Sequence, residues 1–202
     1  MKKRGFTLAE VMVVLSVIGV LTAILLPAAF KATPDELAMK AKKGYNTFGA
    51  AVRELAVSDK YYFEGDFNKK ANGSAAKSLY FCNSLADLLS TKNASCSGAA
   101  SGTATATQAN IDSSCVGKTV PTDANSIRTA DDIKFYRASS TDTSFPTTTD
   151  GNGFYTTYIA MCMAVSSKGA TEVFGMGVRV DGKVVPGTKL STWLSKDIQQ
   201  TD

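Results

Sequence analysis

The 202-residue sequence contains no histidine. The chain therefore lacks the commonest general base, every histidine-based catalytic triad and the commonest zinc ligand. The sequence also shows no spacing of carboxylates around a nucleophile that is typical of a catalytic pocket. We therefore expect that the chain is not an enzyme, and we expect no cofactor and no metal centre.

Charge is missing from a long stretch near the N-terminus, where no charged residue lies between Glu10 and Lys31. The formal net charge of the chain is +4, and Lys2, Lys3 and Arg4 supply three of these charges. Without this N-terminal cluster the chain is nearly neutral, whereas binding of nucleic acid requires a basic face on the folded part. We therefore infer no nucleic-acid binding.

The uncharged stretch is long enough to cross a membrane. Residues 11–30 cover ~30 Å as a helix, which is about the thickness of a hydrocarbon core. The basic cluster before it predicts that the N-terminus stays in the cytoplasm and that the bulk of the chain is exported. A secretory signal peptide fits less well, because the stretch is long and no clear A-x-A-like site follows it. A plain signal anchor leaves Glu10 at the membrane edge unexplained.

A specific resemblance lies at the start of this stretch. The segment Gly5–Val11, which reads GFTLAEV, resembles the prepilin cleavage and methylation signature of type IV pilins and type II secretion pseudopilins. The resemblance implies that a prepilin peptidase cleaves after Gly5 and methylates the new N-terminal Phe6. It also implies that Glu10 is the acid used in assembly. The partners implied are sister subunits, the prepilin peptidase, an inner-membrane assembly platform and, before assembly, the lipid bilayer.

The chemistry of these residues is consistent with assembly. Cleavage creates a charged α-amino group on Phe6, one helical turn before Glu10. In a staggered bundle this amine pairs with Glu10 of a neighbour, or the two groups pair within one chain. The small residues Ser16, Gly19 and Ala23 fall near one helix face, which either allows close approach of neighbouring helices or reflects the composition of membrane helices.

The sequence predicts four parts and an α+β fold. Residues 1–5 form the leader, residues 6–30 the transmembrane and polymerisation helix, residues 31–57 its amphipathic continuation, and residues 58–202 an extracytoplasmic globular domain. We expect a long N-terminal helix, kinked or locally melted between residues 24 and 34 around Pro27 and Pro34, that packs against a small antiparallel sheet. The resemblance implies the same pilin-like architecture. The continuation carries apolar residues at steps of three or four, which is typical of an amphipathic helix. These residues are Leu37, Ala41, Tyr45, Phe48, Val52 and Leu55.

Within the globular part we expect a short helix from residue 78 to about 90 and strands at 133–137, at 154–165 and around 174–185. A tight turn at 180–183 joins the last two runs of a sheet that we expect to have three or four strands. Residues 97–109 are nearly all serine, alanine, threonine and glycine, and we expect an exposed loop there. We expect another loop at 123–132.

The sequence has four cysteines and no C-x-x-C pair: Cys82, Cys96, Cys115 and Cys162. All four follow the predicted membrane segment, on the side where disulfides persist. Four cysteines allow three pairings, among which the sequence alone does not choose. Our working hypothesis joins Cys96 to Cys115, which closes the 97–109 stretch, and Cys82 to Cys162, which ties the short helix to the β-rich half.

These features predict a structural subunit of a type IV pilus or a type II secretion pseudopilus. The alternatives are a minor tip or binding subunit of such a filament and a plain membrane-tethered binding module. We expect a single-pass inner-membrane protein with its bulk outside the cytoplasm, which then joins a filament in the periplasm or on the cell surface. Asp142, Asp150 and Asn152 are oxygen ligands that a calcium loop requires, although the Asp150–Gly153 segment is foremost a turn sequence.

Overall fold

The computed structural model describes residues 8–31, 36–75, 77–89, 91–93, 95–167 and 169–196. The chain divides into two compact units, Met1–Asp35 and Glu36–Asp202. The first unit is described from residue 8 and consists of one helix. The second unit is a helix-and-sheet domain, so the chain has the α+β composition that the sequence predicts.

Helix α1 spans Leu8–Lys31 and forms the first unit. It continues through Pro27 to Lys31. The kink or local melting predicted between residues 24 and 34 falls partly outside the described residues and stays a prediction. The expected helix start at Thr33 and Pro34 lies outside the described residues. Among the described residues, no helix combines the length and the apolarity required to span a membrane.

Helix α2 spans Glu36–Val57 and carries the predicted amphipathic stripe. Ala41, Phe48, Val52 and Leu55 are fully buried, while Leu37 and Tyr45 pack at the edge of the core. The prediction of this helix and of its buried face is confirmed, because its apolar residues recur at the helical period and cover one side.

The residues described in the second unit form one antiparallel sheet of seven strands, rather than the three or four predicted. The additional strands are short, and short strands have weak sequence signals. The strands are β1 (Thr91–Asn93), β2 (Thr105–Thr107), β3 (Ile127–Thr129), β4 (Ile133–Arg137), β5 (Thr157–Ser167), β6 (Ala170–Val178) and β7 (Val184–Pro186). Their order across the sheet is β1-β3-β4-β5-β6-β7. Strand β2 pairs with residues 157–159 of β5, next to residues 161–165, with which β4 pairs.

The long strand β5 separates two cores. Met161, Met163 and Val165 belong to the core that includes α2, whereas Cys162 and Ala164 belong to a second core on the opposite face. This alternation follows from the two-residue repeat of a strand. Both faces of the sheet are therefore covered, and this accounts for the almost continuous burial of β5.

The core on the second face includes residues from 100–115, which overlap the 97–109 stretch that was predicted to be an exposed loop. Strand β2 lies within 97–109, and Ala100 and Ala106 are buried. Glycines in β6 make the close approach possible: a Cβ on Gly175 would lie 2.7 Å from the Ile111 carbonyl oxygen. The loop expected at 123–132 likewise contains β3. Both predictions missed a strand of three residues, β2 in the first stretch and β3 in the second, because strands this short have weak sequence signals.

Two further helices complete the domain. Helix α3 spans Ser78–Leu88, close to its predicted range, and buries Phe81, Cys82 and Leu85. Helix α4 spans Thr188–Lys196 and was not predicted. Its Trp193 ring packs edge-on against Phe174, with the ring centroids 5.1 Å apart.

Candidate assembly site

Helix α1 presents an apolar surface with one acid in its first turn, Glu10. Every described side chain on this helix, at residues 8–22, is exposed. Ten of them are large and apolar: Leu8, Val11, Met12, Val13, Val14, Leu15, Val17, Ile18, Val20 and Leu21. A contiguous apolar surface of this size marks a site of contact with another protein or with lipid.

The hydroxyl groups of α1 are bonded within the helix. The Ser16 hydroxyl donates to the Val13 carbonyl at 2.8 Å, and the Thr22 hydroxyl donates to the Ile18 carbonyl at 2.8 Å. Because these donors are bonded to the helix itself, neither hydroxyl requires water when the surface is covered. Apart from Glu10, the surface that α1 offers between residues 8 and 22 is therefore chemically apolar.

Gly19 opens a notch in this surface. A Cβ built on Gly19 meets no atom within 4 Å, so packing within the chain does not require a glycine there. Glycine is unfavourable in a helix interior by about 1 kcal/mol relative to alanine. In membrane proteins, small residues of this kind allow the backbones of neighbouring helices to approach closely. The side chain of Ala23, assigned to the same face, is not among those that the structure describes.

The predicted cleavage and methylation residues, Gly5 and Phe6, lie outside the described residues. Of the three residues assigned to processing and assembly, the structure therefore describes Glu10. It places this carboxylate in the first helical turn, where the helix dipole favours negative charge.

The four cysteines form two disulfides, Cys82–Cys96 and Cys115–Cys162. The general expectation of two bonds is confirmed, whereas the working hypothesis on the pairing was wrong. Cys82 lies in the core on the α2 face of the sheet, and Cys162 lies in the core on the opposite face. The sheet itself separates these two sulfurs. Packing of residues 100–115 on the second face brings Cys115 to β5 instead.

The residues considered for calcium have other roles. The Asp142 carboxylate accepts the Leu79 amide at 2.8 Å and the Ser78 hydroxyl at 3.2 Å, which caps the N-terminus of α3. Asp150 accepts the amides of Asn152 and Phe154 within its own turn. In the part of the chain that the structure describes, no group of three or more acidic, cysteine or histidine side chains is arranged to hold a metal ion.

A second capping acid, Asp112, was also missed by the sequence analysis. Its carboxylate accepts the Lys189 amide at 2.8 Å, in the first turn of α4. Asp112 and Lys189 are 77 residues apart, and Asp142 and Leu79 are 63 residues apart. Local sequence signals for helix capping span only a few residues, so neither contact has a sequence signature.

An exposed ion-pair cluster lies near the β1 edge of the sheet. Asp123 pairs with Lys134 and Arg128, and Asp132 pairs with Lys92 and Arg128. Hydrogen bonding from Lys134 lowers the pKa of Asp123, and hydrogen bonds from Lys92 and Arg128 lower the pKa of Asp132. These contacts secure β3 and β4 and leave no acid of this cluster poised for proton transfer.

Comparison with known proteins gives one match. Residues 1–26 match the family described as the prokaryotic N-terminal methylation motif. No curated protein and no solved structure matches the chain. The matched residues include the segment from Gly5 to Val11 and the first part of α1. The chain thus carries at its N-terminus the methylation signature of type IV pilins and pseudopilins.

Proposed function

We propose that this protein is a structural subunit of a type IV pilus or a type II secretion pseudopilus. In this proposal the prepilin peptidase cleaves after Gly5 and methylates Phe6, and the processed subunit polymerises through α1. The observation that carries the proposal is the combination of the N-terminal methylation motif with an apolar helix whose described side chains are all exposed.

Exposure of this helix supports polymerisation for a physical reason. Burial of apolar area stabilises an assembly by roughly 25 cal/mol per Å². The ten large apolar side chains of α1 gain this energy only when another molecule covers them. Lipid covers them before assembly, and sister helices cover them in the filament. We accordingly propose an inner-membrane precursor with its cytoplasmic N-terminus ahead of α1.

Glu10 distinguishes a filament subunit from a simple anchor. A carboxylate at the membrane edge is unfavourable for insertion, and an anchor gains nothing from it. In a filament, Glu10 accepts the N-terminal amine of Phe6 from a neighbouring subunit. This pair selects the axial stagger of the helices, because a shifted stagger leaves both charges unpaired in an apolar bundle.

The test is the Glu10→Leu variant, expressed in cells that lack any other copy of the subunit. Removing one member of a buried pair costs ~3–5 kcal/mol, and the loss recurs at each subunit. We expect the variant to be inserted and cleaved at Gly5, yet absent from the sheared filament fraction. Glu10→Asp, which retains the charge, should assemble in part. Glu54→Leu, the same replacement at an exposed acid of α2, should assemble normally.

The outcomes separate the competing functions. Normal incorporation of Glu10→Leu would remove the assembly role of Glu10, whereas absence of the wild-type protein from the filament fraction would favour the membrane-tethered binding module. Incorporation at a few copies per filament would favour a minor tip subunit, since a terminal copy lacks one neighbour. Intact mass of the wild-type protein tests processing separately, by loss of Met1–Gly5 and gain of one methyl group. The proposed role is structural rather than catalytic.

A further inference from the structure

A cleft of about 380 Å³ lies between α2 and the turn that joins β6 to β7. Its lining includes two cations, Arg53 from α2 and Lys183 from the turn, together with the Asn46 side-chain amide. The Tyr45 hydroxyl donates to the Val184 carbonyl at 3.3 Å and links the two walls. The cleft lies wholly within the second unit.

No ion pair within the described part of the chain neutralises the two cations of this cleft. Within the described ranges, neither the Arg53 guanidinium nor the Lys183 ammonium has a carboxylate oxygen within 4.0 Å. The nearest acid in sequence to Lys183 is Asp181, whose carboxylate accepts the Arg179 guanidinium and the Lys183 backbone amide. Two like charges that line one cleft favour an anion between them.

Gly49 lines the cleft. Packing within the chain does not require a glycine at this position. A Cβ built there would meet, within 4 Å, only the Nη2 atom of Arg53 at 3.9 Å. In the same helix, a Cβ on Gly44 would lie 2.6 Å from the Met163 sulfur, so Gly44 is explained by the core. Glycine at position 49 weakens the helix without such a reason. It leaves room beside the guanidinium.

We propose that this cleft binds a compact oxyanion, either a carboxylate or a phosphate group, between Arg53 and Lys183. The planar guanidinium presents two parallel N–H donors to such a group, the ammonium adds a point charge, and Asn46 supplies a neutral donor. The source of the anion is either a free phosphate-bearing molecule or an acidic side chain of a second copy of this chain. The inference does not depend on filament assembly.

The test uses the full-length processed chain in nonionic detergent micelles. The Arg53 Nε–H resonance is identified by its loss in Arg53→Gln, and inorganic phosphate is titrated against chloride at constant ionic strength. We expect a saturable shift of this resonance with phosphate. Lys183→Gln should weaken the apparent affinity by about tenfold, since one charge-assisted contact is removed. Lys118→Gln, at an exposed lysine outside the cleft, should leave it unchanged.

Further titrations identify the source of the anion. Saturation by acetate as well as phosphate indicates that the cleft accepts a carboxylate, and a shift on raising the protein concentration without added anion indicates that a second copy supplies it. Saturation by phosphate alone indicates a phosphate-bearing molecule. The proposal is overturned if the Arg53 resonance moves no more in phosphate or acetate than in chloride, or if Lys183→Gln binds as tightly as the wild type.

Discussion

Helices α1 and α2 have similar lengths, 24 and 22 residues, but use their apolar side chains in opposite ways. In α1 the apolar residues lie on all sides, and every described side chain is exposed. In α2 they form one stripe, which is buried in the domain core. A helix that is apolar on all sides cannot be covered by a single domain face, which is consistent with the proposed partners of α1, lipid and sister helices. The two helices differ both in how apolar they are and in how their apolar residues are distributed.

The largest expected effect on domain stability is that of a leucine-to-alanine substitution in α2, compared with the same substitution in α1. Leu55 of α2 is 0% exposed and Leu15 of α1 is 63% exposed. Leu55→Ala should lower the free energy of unfolding of the domain by ~2–5 kcal/mol, through lost burial and a cavity. Leu15→Ala should change it by less than ~0.5 kcal/mol and reduce filament incorporation instead.

Urea unfolding of the full chain in micelles measures both variants. Fluorescence of Trp193, the single tryptophan, reports on the domain because its ring packs on Phe174. Equal destabilisation by both variants would contradict the separation of roles between the two helices.

All four cysteines lie in the second unit, so loss of a disulfide should affect the stability of the domain and not the N-terminal helix. Cys115–Cys162 spans 47 residues and Cys82–Cys96 spans 14. In the chain-entropy model their removal costs about 4 and about 3 kcal/mol, respectively. We therefore expect the double Cys→Ser variant of the longer bridge to be the less stable in urea. Insertion and cleavage of the N-terminal helix should be unaffected in both variants.

Peptide mapping under non-reducing conditions checks the pairing directly. A peptide that joins Cys82 to Cys162 would contradict the two-faced sheet, because these residues lie in separate cores.

Glycine-to-alanine substitutions should have a smaller effect. In β6, a Cβ on Gly175 would lie 2.7 Å from the Ile111 carbonyl oxygen, so Gly175→Ala should destabilise the domain by ~1–3 kcal/mol. In α1, a Cβ on Gly19 would meet no atom of the chain within 4 Å, so Gly19→Ala creates no clash. It should leave urea unfolding unchanged and reduce packing of neighbouring helices in filaments. Normal filament yield from Gly19→Ala would show that the notch has no partner.

The smallest expected effect is a pH dependence of the domain. The pKa values of Asp123 and Asp132 are lowered from 3.8 in the folded state, mainly by hydrogen bonds from Lys134 and from Lys92. Their contribution to stability is therefore fully present above pH 3.8 and is lost as the pH falls through the lowered folded values. Lys134→Gln should reduce the acid sensitivity of unfolding below pH 3.8, whereas Lys118→Gln should not.

Much of the fold could be predicted where the signal is local. The residues of β4 coincide with the predicted strand at 133–137, because β-branched and aromatic residues such as Ile133, Phe135 and Tyr136 are typical of strands. The turn at 180–183 is confirmed by Gly182, whose φ of +80° is suited to glycine. The capping contacts of Asp112 and Asp142 could not be predicted, since each joins residues more than sixty positions apart.

The sequence by itself determined the N-terminal signature, the uncharged stretch of α1 and the stripe of α2, because motif spacing and helical periodicity are local properties. Only the tertiary structure decided the disulfide pairing, the placement of β2 on the sheet and the convergence of Arg53 with Lys183. These features depend on which backbone segments lie against the two faces of β5 and against α2. That choice is made by long-range packing, in which small residues such as Gly175 matter through the space they leave.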